Sequence, residues 1–295
     1  MSVKIARYSG FCFGVKRAIK IALEASKTNL EIVTLGPIIH NPQMVAKLEQ
    51  EGVKHVNSIE ELKGRPTIIR SHGVGRDIME NLRRQNVEII DATCPYVSKT
   101  QDVARELSED GYRVIILGDK DHPEVTALRS YVRGDVIIVN NAEELKSDEF
   151  GRVGLIAQTT KSSKDFKELI EVLTPLCSEL KVVNTICNAT GVRQNATLRL
   201  ARESDLMIVV GGRNSSNTKM LAKISENFVE TYHIETAGEI NAKWFKNKEN
   251  IGLTAGASTP DWIIVEVYNK INECKGNVES RVNRVEDIPG FKEEK

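Results

Sequence analysis

The sequence lacks the features that mark several large classes of protein. It has no excess charge, since 41 basic side chains balance 41 acidic ones, and this argues against a surface that coats nucleic acid. No apolar run approaches the ~18 residues of a membrane-spanning helix. The opening stretch, MSVKIARYSGFCFG, lacks the apolar core of a secretory signal. We therefore expect a cytoplasmic protein with no membrane span and no nucleic-acid partner.

Cysteine is scarce, and its spacing excludes the usual compact metal motifs. Five thiols, an odd number spread over 295 residues, fit reduced cysteines better than a disulfide framework. No two of them form a C-x-x-C pair, so a metal site would have to be assembled from distant parts of the chain. No G-x-G-x-x-G follows a predicted strand, so redox chemistry would need electrons from outside.

Short β-rich runs alternate with helical patterns along the chain. Strands are predicted at residues 31–35, 113–117 and 205–210, and the stretches MVAKLEQEG and DIMENLRRQN are typical of helices. This alternation predicts an α/β protein with mainly parallel sheets. A chain of this length with 40% apolar residues can bury a substantial core.

The pattern also repeats. Three segments read as a strand, a glycine, a polar turn and a helix: EIVTLGPIIHNPQMV, RVIILGDKDHPEVTAL and LMIVVGGRNSSNTKML. The spacings agree, because 82 residues separate Cys12 from Cys94 and His40 from His122, and 93 residues separate Cys94 from Cys187 and His122 from Ser215. We predict three similar α/β lobes of about 85 to 100 residues, arranged with pseudo-threefold symmetry.

Cys12, Cys94 and Cys187 recur where a strand leads into a helix. In open parallel sheets ligands bind at this end of the strands, so three such lobes would direct three thiols to one centre. Soft thiolates suit zinc or an iron–sulfur cluster; simple burial of the thiols is the alternative. Zinc normally closes with four ligands, whereas a [4Fe-4S] cluster on three thiolates keeps one open iron. Cys177 and Cys274 lie in helix-like stretches and are predicted to be packing or surface residues.

Polar side chains in the loops of the same units predict an anion site. Several stand at predicted helix N-termini, where backbone amides and the helix dipole favour phosphate or diphosphate. The candidates are His40, His72, His122, Thr159, Ser215, Ser216, Asn217 and Ser258. Glu124 is a candidate general acid, or else an ordinary first-turn glutamate stabilised by the helix dipole. His55 and His233 lie outside this pattern and receive no role.

Several stretches together resemble one family. They are GFCFGVKRAI, GPIIHNPQMV, IIRSHGV, DATCPYVSKTQ, DHPEV, AQTT, TICNATGVRQ, NSSNT and TAGAST. From about residue 9 to residue 261 the chain resembles the 4-hydroxy-3-methylbut-2-enyl diphosphate reductase family, whose members catalyse the last step of the non-mevalonate isoprenoid pathway. The charged tail lies outside the resemblance.

The resemblance implies three lobes around a central [4Fe-4S] cluster. The lobes would span residues 14–94, 95–187 and 188–281, the last completed by the strand in 1–13, with a charged tail over 282–295. Cys12, Cys94 and Cys187 would be the metal ligands, and the substrate hydroxyl would bind the open iron.

The resemblance also implies roles for the loop residues. The diphosphate would be held by His40, His72, Ser215 and Asn217, with Ser258, and with Ser216 alongside. His122, Glu124 and Thr159 would form the catalytic, proton-delivering side of the pocket, with Glu124 as the main donor. Two electrons from a ferredoxin or flavodoxin and two protons would then yield water and isopentenyl or dimethylallyl diphosphate.

Other functions for such a centre lead to different expectations. A dehydratase would use its cluster only as a Lewis acid and would need no reductant. A cluster-based sensor would need an effector surface such as a basic DNA-reading helix. A zinc-dependent hydrolase would bind one colourless metal and tolerate air.

Overall fold

The structure is a computed structural model that describes residues 2–28, 31–146, 149–276 and 278–293. Strands and helices alternate through these ranges. The strands are β1 (Ser2–Ile5), β2 (Val33–Leu35), β3 (Lys54–Val56), β4 (Thr67–Ile69), β5 (Ile89–Asp91), β6 (Arg113–Leu117), β7 (Val136–Val139), β8 (Phe150–Ala157), β9 (Cys177–Val182), β10 (Leu206–Val210), β11 (Thr231–Ile234) and β12 (Asn250–Ala255). The α-helices are α1 (Phe13–Thr28), α2 (Pro42–Gln50), α3 (Arg76–Arg84), α4 (Pro95–Glu109), α5 (Pro123–Tyr131), α6 (Ser163–Leu173), α7 (Asn188–Arg202), α8 (Ser216–Glu226) and α9 (Asp261–Cys274).

The strands form three four-stranded parallel sheets with one repeated order. The first sheet runs β3-β2-β4-β5, the second β7-β6-β8-β9 and the third β11-β10-β12-β1. The prediction of three similar α/β lobes with parallel sheets is therefore confirmed. Their placement around a cluster stays a prediction.

Helices on both faces explain why the central strands are continuously apolar. In β6, Ile115 and Leu117 pack on one face with Phe166 of α6. Val114 and Ile116 pack on the opposite face with residues of α4 and α5. Because successive side chains alternate between faces, a strand covered on both sides needs apolar residues at every position.

The chain divides into two compact units. A two-sheet unit comprises Gly14–Ile39 and Val45–Cys187 and holds the first and second sheets. A one-sheet unit comprises Met1–Phe13, His40–Met44 and Asn188–Lys295 and holds the third sheet. The lobe boundaries drawn from the sequence remain a prediction.

The segment predicted as a charged tail packs onto the third sheet over its described part. Val285 and Ile288 are each 2% exposed and join the core that contains β1 and α9. The N–H of Ile5 donates to the carbonyl of Pro289 at 2.9 Å. This segment therefore contributes to the folding of the one-sheet unit.

Cys177 lies in a strand, and the expectation of a helix there was wrong. The helical spacing of ELIEVL ends at Leu173, and Pro175 follows within two residues and cannot continue the hydrogen-bond ladder. Cys177 then opens β9, and its thiol donates to the carbonyl of Leu173 at 3.1 Å. Cys274 is the last residue of α9, as its helical pattern predicted.

Across the described ranges, no helix combines the length and the apolar character that a membrane crossing requires.

Candidate functional site

The last strand of each repeated sheet leads to a cysteine and then to a helix. Cys94 lies between β5 and α4, Cys187 between β9 and α7, and Cys12 between β1 and α1. Cys94 is the N-cap of α4, with Pro95 at the first helical position, where the missing N–H of proline is harmless. All five cysteines lie in described parts of the chain, are partly buried and form no disulfide.

Each of these three cysteines is tied to a polar loop of its own sheet by the same backbone hydrogen bond. The cysteine N–H donates to a carbonyl just beyond the neighbouring strand: Cys12 to Ala257 at 3.1 Å, Cys94 to Ser71 at 3.0 Å, and Cys187 to Thr159 at 3.0 Å. Ser258 and His72 directly follow two of these carbonyl residues, and Thr159 is itself the third. Every candidate metal ligand thus stands beside a candidate binding residue.

In the two-sheet unit, the start of α5 presents His122 and Glu124. His122 is the N-cap, and its Nδ1 accepts from the N–H of Glu124 at 3.2 Å. The carboxylate of Glu124 is 1% exposed and is held at both oxygens by Thr159. The N–H of Thr159 donates to Oε1 at 2.7 Å, and its hydroxyl donates to Oε2 at 2.9 Å.

Burial raises the pKa of Glu124 from about 4.5 to about 7, while the two hydrogen bonds from Thr159 act in the opposite direction. The threonine hydroxyl can donate to the ionised carboxylate or accept from the protonated acid, so this contact is compatible with both states. A carboxyl group with a pKa near 7 can release a proton at neutral pH. The Glu124–Thr159 pair is therefore suited to general-acid chemistry.

The raised pKa predicts a pH-dependent stability that Glu124→Gln removes. Between pH 4.5 and about 7 the folded protein retains a proton that the unfolded chain has lost, so folding is progressively disfavoured as pH rises. We expect the free energy of unfolding of the wild type, relative to Glu124→Gln, to fall by up to about 3 kcal/mol between about pH 5 and pH 8. Urea unfolding of both proteins at the two pH values measures it. A difference that does not change with pH would show that Glu124 does not titrate in this range.

His72 adds an imidazole beside His122 in the same unit. The ring centroids are 5.6 Å apart, and the rings meet edge-on at 82°. His122 is buried, whereas His72 is partly exposed. Because His122 Nδ1 accepts from the Glu124 N–H, its Nε2 carries the proton and is the ring N–H donor.

In the one-sheet unit, the start of α8 presents Ser215, Ser216 and Asn217. Ser215 is the N-cap, and its hydroxyl oxygen accepts from the N–H of Thr218 at 3.3 Å. Asn217 is 4% exposed, and neither its Oδ1 nor its Nδ2 has a hydrogen-bond partner among the described residues. A buried amide without a hydrogen-bond partner at a helix N-terminus is expected where a polar ligand binds.

His40 and Ser258 lie next to this helix start. The Ser258 hydroxyl donates to the carbonyl of His40 at 3.1 Å. A Cβ atom at Gly212 would lie only 2.6 Å from the same carbonyl, so glycine is required for this approach. His40, Ser215, Ser216, Asn217 and Ser258 thus belong to one unit, whereas His72, His122, Glu124 and Thr159 belong to the other.

The donor sets suit the groups proposed for them. Three partly buried thiols on backbone-anchored loops offer soft ligands for iron. The helix start with its unsatisfied amide offers neutral donors for an anion. Glu124, whose pKa is raised by burial, is a candidate proton donor.

The sequence reasoning gave no role to Arg193, which the structure buries to 2% exposure. Its guanidinium donates to the carbonyl of Gly10, two residues before Cys12, at 3.2 Å and to that of Ala189 at 3.0 Å. Arg193 therefore holds the Cys12 loop against α7. The only signal in the sequence was the arginine of the TICNATGVRQ stretch.

Three four-stranded parallel sheets, each with a cysteine hydrogen-bonded to a polar loop, define the class: an α/β protein of three similar lobes. The chain belongs to the LytB protein family, whose model matches residues 3–272. Curated relatives confirm the family. A 4-hydroxy-3-methylbut-2-enyl diphosphate reductase of Geobacter sulfurreducens is 48% identical over 92% of this chain and 98% of that protein. One of Campylobacter hominis is 46% identical over 92% and 99%.

Solved structures agree with the family assignment. One, described as (E)-4-hydroxy-3-methyl-but-2-enyl diphosphate reductase, the terminal enzyme of the non-mevalonate pathway, matches with a TM-score of 0.66. It is 45% identical, over 92% of this chain and 100% of that one. The corresponding reductase of Plasmodium falciparum matches with a TM-score of 0.85 at 28% identity, over 94% and 90%.

Proposed function

We propose that this protein is a 4-hydroxy-3-methylbut-2-enyl diphosphate reductase. It removes the hydroxyl group of this allylic diphosphate reductively and yields isopentenyl and dimethylallyl diphosphate, the last step of the non-mevalonate pathway. The main support for this proposal is the 48% identity to the reductase of Geobacter sulfurreducens over nearly the full length of both chains.

Cys12, Cys94 and Cys187 would hold a [4Fe-4S] cluster as its three protein ligands. When bound, the cluster would supply redox and Lewis-acid chemistry. Support comes from the three thiols, which occupy the same place in three sheets with the same backbone hydrogen bond. Cys177 and Cys274 share neither feature.

The diphosphate would be bound by His40, His72, Ser215, Asn217 and Ser258, with Ser216 alongside. The start of α8 would contribute backbone N–H groups and the positive end of its dipole, which favour a polyanionic group such as a diphosphate. Asn217 supports this role, because its buried Nδ2 has no hydrogen-bond partner among the described residues and could donate to the anion.

Glu124 would donate a proton, with His122 and Thr159 holding it in place. Reductive dehydroxylation consumes two electrons and two protons: one proton leaves in water and one is added to the allylic carbon skeleton. Glu124 is buried, bonded at both oxygens and has a pKa of about 7, so it can remain protonated until the reaction requires the proton. His122 Nδ1 and Thr159 fix its position.

A ferredoxin or flavodoxin would supply the electrons. The chain has no G-x-G-x-x-G nucleotide-binding motif of its own, which supports an external source of electrons. A cytoplasmic location suits such a partner and remains a prediction.

Anaerobic purification followed by an assay tests the proposal. We expect brownish protein with stoichiometric iron and sulfide that consumes 4-hydroxy-3-methylbut-2-enyl diphosphate only with dithionite and a viologen. Turnover without any reductant would identify a dehydratase instead. A protein that holds a cluster but never converts this substrate would favour a sensor.

Replacement of Asn217 by leucine is expected to weaken substrate binding while it stabilises the folded protein. Removing two unsatisfied buried atoms should stabilise the protein by about 1–2 kcal/mol. The same change should raise KM for the diphosphate by roughly tenfold or more, because the substrate loses a donor. Thermal unfolding and steady-state kinetics measure the two effects.

Asn272→Leu is the matched control. Asn272 is also 4% exposed, but its Nδ2 donates to the carbonyl of Tyr268 at 3.1 Å. This change should give no stabilisation and leave KM unaltered. If Asn217→Leu and Asn272→Leu behaved alike, Asn217 would have only a packing role.

A further inference from the structure

The loop between β10 and α8 is bonded to the side chains of His233, in β11, and of Glu235, which directly follows this strand. This loop, Gly211–Ser215, leads into the helix start that carries Ser215, Ser216 and Asn217. The Nε2 atom of His233 lies 2.8 Å from the carbonyl oxygen of Gly211. A carbonyl can only accept, so this ring nitrogen carries the proton and donates.

A second anchor acts two residues further along the same loop. The N–H of Arg213 donates to Oε1 of Glu235 at 2.7 Å. The Arg213 guanidinium pairs with Glu239, which also accepts from the N–H groups of Glu235 and Thr236 at 2.6 and 3.0 Å. The loop backbone is therefore bonded at two points, to one residue of the edge strand β11 and to the residue that directly follows this strand.

Gly211 and Gly212 of the loop approach neighbouring residues too closely to accommodate a side chain. Gly211 has φ of +145°, and a Cβ atom there would lie 2.5 Å from Oγ1 of Thr259 and 2.8 Å from Oγ1 of Thr218. The next residue, Gly212, faces the His40 carbonyl, as described above. Both positions therefore favour glycine, and the loop backbone packs closely against these neighbours.

The loop is linked directly to the helix cap. The N–H of Ser215 donates to the carbonyl of Gly212 at 2.9 Å, and the Ser215 hydroxyl caps α8 through Thr218. The position of the Ser215 hydroxyl and of the first N–H groups of α8 thus depends on where the Gly211–Arg213 backbone lies.

We propose that His233 and Glu235 are positioning residues for diphosphate binding. They do not contact the substrate; they fix the Gly211–Ser215 loop so that Ser215 and Asn217 face the anion. This inference rests on the proposed function, since it assigns the diphosphate to the start of α8. It implies that the site is supported by the edge strand β11 as well as by the loop itself.

Kinetics of His233→Leu and His233→Gln in the cluster-containing enzyme test the proposal. For His233→Leu we expect KM for the allylic diphosphate to rise roughly tenfold with kcat within about twofold, because ground and transition states lose the same diphosphate contacts. The affinity of the same holoenzyme for inorganic pyrophosphate, measured anaerobically by calorimetry, should weaken by a similar factor. His233→Gln should restore most of both values, since its amide N–H can still donate to Gly211.

His55→Leu is the matched control. His55 lies on β3, the edge strand of the first sheet, and its Nδ1 is 2.9 Å from the partly exposed carboxylate of Glu49. This change should leave KM, kcat and pyrophosphate affinity unaltered. Glu235→Ala provides an independent variant of the second anchor and should raise KM in the same direction by roughly threefold.

Two results would overturn the proposal. One is unchanged KM and pyrophosphate affinity in both His233→Leu and Glu235→Ala. The other is equal loss in His233→Leu and His233→Gln, which would assign His233 to packing. If instead the wild-type enzyme holds its cluster but does not convert the allylic diphosphate, the proposed function fails, and this result is separate from the comparison of variants.

Discussion

Glu124→Gln is expected to keep the iron–sulfur cluster and to lose turnover by roughly two to four orders of magnitude. Glutamine has nearly the same shape, and its Oε1 can still accept from the Thr159 N–H, so the loop geometry should survive. What it lacks is a proton that dissociates near neutral pH. Iron analysis and the visible spectrum report the cluster, and product formation with dithionite and a viologen reports turnover.

Asp165→Asn is the matched control for the Glu124 variant. Asp165 is also an acidic residue in the first turn of a helix, at the start of α6, and its N–H donates to the capping Ser162 hydroxyl at 3.0 Å. If a first-turn carboxylate served only the helix dipole, both variants would retain turnover with a small loss of stability. Normal turnover in Glu124→Gln would remove Glu124 from the proton-donating role.

Cys94→Ser is expected to lose the cluster and with it all activity above background. A serine hydroxyl fills nearly the same space at the N-cap of α4, but it is a poor ligand for iron that prefers soft thiolate. Cys12→Ser and Cys187→Ser should behave alike, because each occupies the equivalent place in its own sheet. Iron and acid-labile sulfide measured after anaerobic reconstitution are the decisive quantities.

Cys177→Ser and Cys274→Ser provide the contrast within the same chain. Both thiols are partly buried, as the other three are, but one opens a strand and the other ends a helix. These two variants should retain normal iron, sulfide and turnover. Loss of the cluster in either of them, with retention in Cys94→Ser, would contradict the ligand assignment.

The repeated sheets were predictable because their physical signals are local. A short buried run followed by glycine, a polar turn and a helical pattern predicts a strand, a loop and a helix wherever it occurs. Three aligned copies of that pattern indicated three similar sheets. The positions of Cys12, Cys94 and Cys187 at strand ends followed from the same alignment.

The features that the sequence did not predict depend on contacts between distant residues. Arg193 and Gly10 are 183 positions apart, so no local sequence pattern around either residue predicts their hydrogen bond. His233 contacts Gly211 only because β11 pairs with β10. The first-turn position of Glu124 fitted an ordinary helix start equally well, and its burial was visible only in the folded protein. The helical spacing of apolar residues continues as far as Cys177 and therefore predicted a helix there. The helix ends earlier, at Leu173, because Pro175 cannot continue it.

The pairing of the first strand with the last has a consequence for how the protein is made. Ser2–Ile5 hydrogen-bonds to Asn250–Leu253, and the closing segment around Pro289 then covers that strand. At the usual pace of translation the N-terminus has to wait roughly 10 to 50 s for its partner to emerge from the ribosome. The loop with Cys12 therefore reaches its final position only after residues 250–253 have left the ribosome, so a centre that needs all three cysteine loops would be completed well after the first two sheets have been synthesised.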